Sequence, residues 1–244
     1  MNKHSKRKVL SVIIPCYNED RTIEAVIDEI NSVNLNNNVD KEIILIDDGS
    51  RQSIKDIYPK LEKKFDNLRV LYQPVNMGKG AAVKRGLLES SGDYVIIQDA
   101  DREYDPRDYS KMLNLFHENR ADVVFGSRFF GGAPRRVVYL SNTIGNKLMT
   151  RLSALLSGLY VTDIHTCYIM LSGVLARELA KDLKSARFGF NPEIVARLAK
   201  RKDELKICEV GISYYGRSKA EGKHINWKDG VEAVKEIIRF NLFR

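Results

Sequence analysis

The sequence predicts an α/β protein in which a parallel sheet is covered by helices on both faces. Short apolar runs alternate with segments of helical apolar spacing over about 125 residues. The runs are apolar at successive positions, as in strands that are buried on both faces. Short links join them, and this order of elements is typical of a sheet built from strand–helix–strand units.

The predicted strands of the first half are short runs of apolar residues. They cover residues 9–15, 42–46, 68–72, 94–98 and 123–126. Helices are predicted between them because apolar residues recur every three or four positions. These helices cover residues 23–30, 54–65, 79–90 and 106–116. The last of them opens at Pro106, a residue that is favoured in the first turn of a helix.

The second half of the chain is less regular. Its predicted helices cover residues 142–159, 175–183, 192–202 and 227–240, and residues 205–215 contain a strand. No segment has the character of a linker between domains. We therefore expect one domain that spans residues 1–244.

The chain carries 40 Lys and Arg residues against 32 Asp and Glu residues, a net charge of +8. This excess fits either a solvated surface or an attraction for phosphates, anionic lipid or nucleic acid. Cys16, Cys167 and Cys208 show neither metal-ligand spacing nor a disulfide framework, which is typical of a reducing cytoplasm. No apolar run approaches the ~20 residues of a membrane-spanning helix. We therefore expect a cytoplasmic protein.

Asp99 and Asp101 directly follow the fourth predicted strand. Two carboxylates at this spacing repel each other unless a cation lies between them. Their hard oxygen atoms suit Mg²⁺ or Mn²⁺, with a diphosphate supplying further oxygens, and Glu103 is a third candidate ligand. Such a pair also occurs in ordinary turns. However, ligands of parallel sheets bind at the carboxyl ends of the strands, so this position favours a metal site.

Two more polar segments follow predicted strands. Asp47-Asp48-Gly49-Ser50 is either an ordinary turn or a carboxylate site for the base or ribose of a nucleotide. Asn76-Met77-Gly78-Lys79-Gly80 opens a helix, where glycine lets the backbone approach a ligand and the helix terminus attracts anions. This segment lacks the spacing of a nucleotide-triphosphate loop.

Five motifs in sequence order carry a family resemblance. They are Pro15-Cys16-Tyr17-Asn18-Glu19, Asp47-Asp48-Gly49-Ser50, Asn76-Met77-Gly78-Lys79-Gly80, Gln98-Asp99-Ala100-Asp101 and Gly126-Ser127-Arg128. Their order resembles that of family 2 glycosyltransferases, and most of all the branch of dolichol-phosphate mannose or glucose synthases. The resemblance covers residues 8–230.

The resemblance implies a GT-A fold, a nucleotide-sugar-binding sheet flanked by helices. It also implies a donor half at residues 9–126 and an acceptor half at residues 127–244. The implied metal ligands are Asp99, Asp101 and Glu103, although relatives commonly carry Gln in place of Glu103. The implied donor-binding residues are Pro15, Tyr17, Glu19, Asp47, Asp48, Gly78, Lys79 and Asp99. The implied catalytic and acceptor-binding residues are Asp101, Arg128, Asp163, Arg217 and Lys223.

One segment departs from this pattern. Where relatives have Asp-x-Thr-Ser-Gly-Phe-Arg, this chain keeps Asp163 but has His165, Cys167 and Ile169, so one phosphate contact is missing. We expect Cys167 to be a small buried residue, because an inverting transfer onto a phosphate needs no covalent intermediate. For His165, a structural role and a role in shaping the acceptor site both remain open.

The expected reaction is the inverting transfer of a hexose from a UDP- or GDP-sugar to a polyprenyl or dolichyl phosphate, with no nucleic-acid partner. The acceptor phosphate is already ionised near neutral pH, so it needs little help from a base.

The alternative is a soluble glycosyltransferase acting on a saccharide or protein hydroxyl, with Asp163 as the base. A sugar-nucleotide pyrophosphorylase would need a basic, glycine-rich loop directly after the first strand. This chain has Cys16-Tyr17-Asn18-Glu19 there, which argues against that enzyme class. Intact Asp99, Asp101 and Arg128 argue against a non-catalytic protein.

Residues 144–159 are the expected membrane contact. Their apolar side chains fall on one helical face, with Lys147 and Arg151 near its border. This pattern is typical either of a helix packed on the core or of a helix lying in the interface of an anionic membrane. The relatives place helices of this region at the membrane surface. We therefore expect a peripheral protein at the cytoplasmic face of a membrane.

Overall fold

Seven strands form one sheet in the computed structural model, which describes residues 7–35, 39–136, 140–217 and 227–243. The strands are β1 (Val9–Cys16), β2 (Asp40–Asp47), β3 (Leu68–Tyr72), β4 (Tyr94–Ile97), β5 (Val123–Ser127), β6 (Ile169–Ser172) and β7 (Ile207–Gly211). Their order across the sheet is β3-β2-β1-β4-β6-β5-β7. The predicted α/β sheet flanked by helices is confirmed.

The helices lie between these strands and after them. They are α1 (Ile23–Ser32), α2 (Gln52–Lys55), α3 (Tyr58–Lys64), α4 (Lys79–Glu89), α5 (Tyr109–His117), α6 (Leu140–Ser157), α7 (Gly173–Asp182), α8 (Phe190–Ala199) and α9 (Trp227–Leu242). The helix predicted over residues 54–65 is divided into α2 and α3. Pro59 lies in the first turn of α3, and proline cannot continue a helix because it lacks the backbone N–H.

The core lies between the sheet and the helices. Ile13, Ile44 and Ile96, in three neighbouring strands, are fully buried. The face of α1 that faces the core consists of Ile23, Val26, Ile27 and Ile30, the same residues whose spacing predicts the helix. Burial of continuous apolar strands under helices gives a rigid platform for the loops that follow the strands.

The parallel pairing of β1 with β2 and β4 decides where those loops meet. Cys16 lies opposite Asp47, and Ile13 lies opposite Ile97. The chain therefore leaves all three strands at the same edge of the sheet. This carboxyl edge carries the polar residues that follow β1, β2 and β4.

The sheet is mixed and not parallel as predicted, because β6 runs antiparallel between β4 and β5. Val95 of β4 and Val123 of β5 both pair with Leu171 of β6. The sequence analysis missed this strand. It has four residues and continues directly into α7, so its apolar side chains merge with the pattern of that helix.

Strands from both halves of the chain hydrogen-bond in this one sheet, since β6 and β7 pair with β4 and β5. In the second half, α6 packs against α8 and α9. None of the helices in the described part of the chain has the length and hydropathy required to cross a bilayer.

The apolar face of α6 is divided between the core and the surface. Leu152 and Leu156 pack against the core cluster. Ile144, Leu148 and Leu155 point outward and are 57%, 69% and 81% exposed. The predicted stripe is therefore partly a core contact and partly a free apolar surface.

Candidate active site

A cleft of about 340 Å³ opens at the carboxyl edge of the sheet. It is lined by Asn18, Glu19, Asp20, Arg21, Thr22, Arg51 and Arg217. Thr22 Oγ1 donates a hydrogen bond of 2.6 Å to the carbonyl oxygen of Ala100. This contact ties the start of α1 to the segment that contains Asp99 and Asp101, so the cleft lies beside both carboxylates.

Asp99 and Asp101 are both paired with cations of the chain. Lys79 Nζ contacts Asp99 Oδ1, and Arg217 Nη2 lies 2.9 Å from Asp101 Oδ2. Burial, together with the neighbouring charges of Asp99 and Glu103, raises the pKa of Asp101 to about 7. Crowded carboxylates of this kind favour a bound cation.

Glu103 is bonded to the segment that carries Arg217. Its Oε2 accepts a hydrogen bond of 2.5 Å from Tyr214 Oη, and its Oε1 accepts one of 2.7 Å from the backbone N–H of Arg217. Within the described residues, no three His, Cys, Asp or Glu side chains converge as a metal site. The ligand set of Asp99, Asp101 and Glu103 remains a prediction, and Glu103 could join it only by giving up these contacts.

Asp99 and Asp101 remain a suitable pair for a hard divalent ion. They provide carboxylate oxygens at the strand end, and each is paired with a cation of the chain whose place a divalent ion could take. A diphosphate would supply the other oxygen ligands. The donor set thus fits Mg²⁺ or Mn²⁺ with two protein ligands.

Asp48 is nearly buried and holds the segment before α4. Its Oδ1 accepts hydrogen bonds from Gln73 Nε2 (2.9 Å) and Met77 N (2.7 Å), and its Oδ2 accepts one from Gly78 N (2.9 Å). Burial raises the pKa of Asp48, although the N–H groups of Met77 and Gly78 oppose this. A carboxylate has about four acceptor positions, so one is left for a nucleotide.

Asp47 is held inside the turn that follows β2. Its side chain is fully buried, and Oδ1 accepts a hydrogen bond of 2.9 Å from Tyr58 Oη. Both oxygens also lie near the backbone N–H of Ser50, at 3.4 and 3.3 Å. These contacts give Asp47 a structural role, and its expected place at the donor remains a prediction.

Tyr17 and Glu19 extend from the loop after β1. Tyr17 is 50% exposed at the carboxyl edge, which leaves its ring open to a ligand. Glu19 Oε1 lies 3.3 Å from Arg217 Nη2. Pro15 belongs to β1 itself and lies opposite Ile46 of β2. It therefore lies within the sheet, just before the loop that carries Tyr17 and Glu19.

The glycines of the segment before α4 are required by another part of the protein. A Cβ atom on Gly78 would lie 2.5 Å from the carbonyl oxygen of Ala186, and one on Gly80 would lie 2.3 Å from that of Ser185. Gly78 also has a positive φ of 99°. These glycines therefore admit the backbone of residues 185–187, whereas the sequence analysis assigned them to the approach of a ligand.

Arg128 and Asp163 form a buried ion pair. Arg128 Nε lies 2.6 Å from Asp163 Oδ2, and Nη2 lies 2.8 Å from Oδ1. Asn146 Nδ2 donates a third bond, of 3.1 Å, to Oδ1. Burial would raise the pKa of Asp163, but the charge and hydrogen bonds of Arg128 outweigh it and the pKa is lowered. A fully paired carboxylate with a low pKa is a poor base. Asp163 is the partner of Arg128 in this structure, and its catalytic role remains a prediction.

Tyr214 joins the two groups of charged residues, and the sequence analysis missed it. Its hydroxyl binds Glu103, and its ring lies 5.1 Å from the guanidinium carbon of Arg128. Arg128 and Arg217, the two described candidates for an acceptor phosphate, thus flank one tyrosine. Lys223, the third candidate, lies outside the described residues.

Residues 165–167 run past the same edge. Burial lowers the pKa of His165 to about 4, so its imidazole is neutral near neutral pH. Cys167 is buried, and burial raises the pKa of its thiol. The structure agrees with its assignment as a small core residue.

Asn191, at the start of α8, contacts the same segment. Its Nδ2 donates a hydrogen bond of 3.1 Å to the carbonyl oxygen of Thr166, while its buried Oδ1 finds no partner within the described chain. An asparagine at the start of a helix resembles an ordinary cap, so its sequence gave no functional signal.

Comparison with known proteins agrees with this arrangement. The family model described as "Glycosyl transferase family 2" matches residues 11–178. A dolichyl-phosphate beta-glucosyltransferase of Dictyostelium discoideum is 30% identical in an alignment of 244 positions that covers 94% of this chain and 73% of the relative. The chain belongs to glycosyl transferase family 2. It is therefore a glycosyltransferase.

Other relatives and solved structures are similar to this glycosyltransferase over nearly its whole length. A UDP-N-acetylglucosamine–dolichyl-phosphate N-acetylglucosaminyltransferase of Methanococcus voltae is 28% identical over 235 residues, 89% of this chain and 91% of the relative. Glucosyl-3-phosphoglycerate synthase of Mycobacterium tuberculosis has a similar fold, with a TM-score of 0.71 at 20% identity, over 96% of this chain and 81% of that chain. At this identity the similarity shows the GT-A fold.

Proposed function

We propose that this glycosyltransferase transfers a hexose, with inversion, from a UDP- or GDP-sugar to a polyprenyl phosphate such as dolichyl phosphate. The observation that carries the proposal is the pairing of Asp101 with Arg217 at the carboxyl edge, with Arg128 against the ring of Tyr214 in the same segment as Arg217. Two carboxylates suit the metal of a diphosphate donor, and nearby arginines suit a phosphate acceptor. The names of the relatives support the same pair of substrates.

On the donor side, Asp99 and Asp101 would hold Mg²⁺ or Mn²⁺. The ion would neutralise charge on the departing nucleoside diphosphate. Tyr17, Glu19 and the remaining acceptor position of Asp48 would receive the nucleoside. One solved structure with a similar fold was crystallised with Mn²⁺ and UDP, which supports a divalent ion without deciding between the two metals.

On the acceptor side, Arg128, Arg217 and Lys223 would reduce repulsion between the acceptor phosphate and the donor diphosphate. A phosphate nucleophile is already ionised, so the protein mainly aligns it with the anomeric carbon. A hydroxyl acceptor would need a base, and Asp163, the residue expected in that role, is tied to Arg128. This contact favours the phosphate acceptor over a saccharide or protein hydroxyl.

A polyprenyl acceptor also requires contact with a membrane. The exposed side chains of Ile144, Leu148 and Leu155 form a continuous outer face of α6, and Lys147 and Arg151 beside it are exposed. Apolar residues next to cations suit the interface of an anionic leaflet. We place this face, and hence the acceptor half, against the cytoplasmic surface of a membrane.

The experiment is a screen of UDP-glucose, UDP-N-acetylglucosamine and GDP-mannose with Mg²⁺ or Mn²⁺ and a short-chain polyprenyl phosphate. We expect one donor to release nucleoside diphosphate in step with a lipid-linked product, and NMR of that product to show an inverted anomeric centre. Transfer to saccharides or peptides, without transfer to the lipid phosphate, would contradict the proposal. Retention at the anomeric carbon would contradict the inverting mechanism.

A further inference from the structure

Arg217 neutralises the carboxylates that the proposed function assigns to the donor and its metal. Its Nη2 lies 2.9 Å from Asp101 Oδ2 and 3.3 Å from Glu19 Oε1. Its Nε lies 3.6 Å from Glu103 Oε1. One guanidinium thus serves three acidic side chains at the wall of the cleft.

Each carboxylate oxygen of Asp101 already has a donor while Arg217 is in place. Its Oδ1 accepts a hydrogen bond of 3.1 Å from the backbone N–H of Glu103, and its Oδ2 is the atom that Arg217 binds. A divalent ion bound through Oδ2 would occupy the space and the charge complement of the guanidinium. Arg217 and the ion therefore compete for Asp101.

Glu103 holds Arg217 in this position. Its carboxylate accepts from the backbone N–H of Arg217 and from the hydroxyl of Tyr214. Its own backbone oxygen accepts a hydrogen bond of 2.8 Å from Tyr215 N. These three bonds fix the backbone of residues 214–217, while the Arg217 side chain keeps rotatable bonds beyond it. Glu103 is thus a positioning residue for Arg217.

We propose that Arg217 is an internal counterion of Asp101 and Glu19, which the metal-bound donor displaces and thereby frees for the acceptor phosphate. The proposal rests on the proposed function for the identity of both substrates. Partly buried carboxylates that lie close together without a cation are costly, so Arg217 stabilises the ligand-free site. Exchange of the guanidinium for a divalent ion keeps the carboxylates neutralised. The freed guanidinium would remain in the segment whose Tyr214 contacts Arg128.

The test measures how tightly the protein binds Mn²⁺ in the presence of UDP. The electron paramagnetic resonance signal of free Mn²⁺ reports the unbound ion. Arg217→Gln removes the competing charge, and we expect Mn²⁺ to bind at least about fivefold more tightly, the lower end of common coupling between linked sites. Arg102→Gln is the matched control. It removes the same charge from the neighbour of Asp101, where Arg102 Nε binds Glu29 Oε1 at 2.8 Å. Since exposed ion pairs contribute little, we expect less than about a twofold change.

Weaker or unchanged Mn²⁺ binding by Arg217→Gln would overturn the proposal. If a thermal melt shows that this variant does not fold, Arg217→Lys replaces it. Lysine keeps one charge but lacks the planar fork of arginine. We therefore expect Arg217→Lys to bind Mn²⁺ more tightly than wild type, by less than the roughly fivefold gain expected for Arg217→Gln. An affinity equal to that of wild type contradicts the proposal. No acceptor is present, so this measurement stands even if the acceptor is not a lipid phosphate.

The order of binding gives a second readout. In wild type, we expect saturating Mn²⁺ and UDP to strengthen the binding of a short polyprenyl phosphate, as measured by calorimetry. Equal affinity with and without Mn²⁺ and UDP would contradict the release of Arg217. Failure to bind the lipid phosphate under both conditions would instead contradict the proposed acceptor.

Discussion

Asp48 lies just after β2 with three donors around its carboxylate, Gln73 Nε2, Met77 N and Gly78 N. The Asp-Asp-Gly-Ser motif alone predicts that Asp48→Ala weakens nucleotide binding with little effect on the melting temperature. The buried contacts change that expectation. A residue that organises three neighbours contributes to the fold as well as to any ligand contact.

We expect Asp48→Ala to lower the free energy of unfolding by about 2 kcal/mol, because buried donors lose their acceptor. It should also weaken UDP binding. Urea denaturation and calorimetry measure the two effects separately. Asp20→Ala is the control, since Asp20 lines the same cleft but is exposed and should not alter stability. An unchanged unfolding midpoint for Asp48→Ala would show that the three hydrogen bonds carry no net stability.

The Arg128–Asp163 pair predicts a pH-dependent stability. The pKa of Asp163 is lowered in the fold. The stabilisation of the folded state by its ionised form is therefore complete above the unfolded-state pKa of about 3.9 and is lost as the pH falls below it.

Arg128→Met leaves a buried charge without its partner and should lower the free energy of unfolding by about 3–5 kcal/mol near neutral pH. In urea denaturation, the variant should lose less stability than wild type between about pH 6 and pH 3. Arg120→Met, which breaks an exposed pair with Glu118, is the control. Parallel pH profiles for Arg128→Met and wild type would contradict the assignment.

At the scale of elements, α6 separates two roles that its sequence pattern merges. Leu152 and Leu156 face the core, whereas Leu148 and Leu155 face outward. A helical period identifies a stripe on a helix but does not identify what covers it. The packing of α6 on α8 and α9 decides which part of the stripe is buried.

We expect Leu148→Glu together with Leu155→Glu to abolish binding to anionic liposomes while the melting temperature changes little. The reason is that both side chains are mostly exposed, so a glutamate there costs no core packing and repels anionic lipid. Flotation of liposomes and thermal melts are the measurements. Leu152→Glu is the matched control and should lower the melting temperature, since Leu152 packs against the core. Liposome binding that survives in the double variant would place the membrane contact elsewhere.

At the scale of the whole molecule, the carboxyl edge brings together residues that are remote in the chain. Glu103 and Arg217 are 114 positions apart, and Asp101 and Arg217 are 116 apart. The predicted donor and acceptor halves meet there because β6 and β7 complete the sheet beside β4 and β5. A metal bound at Asp99 and Asp101 would therefore act on both halves.

We expect EDTA to abolish sugar transfer and added Mg²⁺ or Mn²⁺ to restore it. Asp101→Asn should lose nearly all transfer, since an amide oxygen is a weaker ligand for a hard cation. The variant should still fold, because the amide oxygen can keep the hydrogen bond from the backbone N–H of Glu103 and the side chain has nearly the same shape. Circular dichroism and nucleoside diphosphate release measure fold and activity. Full transfer in EDTA would rule out the role of the metal.

The sequence by itself determined the alternation of strands and helices in the first half, the strand ends at which polar residues gather, and the family. These features depend on local periodicity and on motifs of a few residues, so they are readable without a fold. Asp99 and Asp101 at the end of β4, and Tyr17 and Glu19 after β1, were found in this way.

The tertiary structure decided which partner each polar group has. It inserted β6 antiparallel between β4 and β5, gave Glu103 to Arg217 and Tyr214, and paired Asp163 with Arg128. It also assigned Gly78 and Gly80 to the backbone of residues 185–187. Such partners are distant in sequence. Whether a charged residue can be buried, or a position must be glycine, depends on the residues that the fold packs against it. Local patterns carry no information about that neighbour, because burial and hydrogen-bond partners are properties of the packed chain.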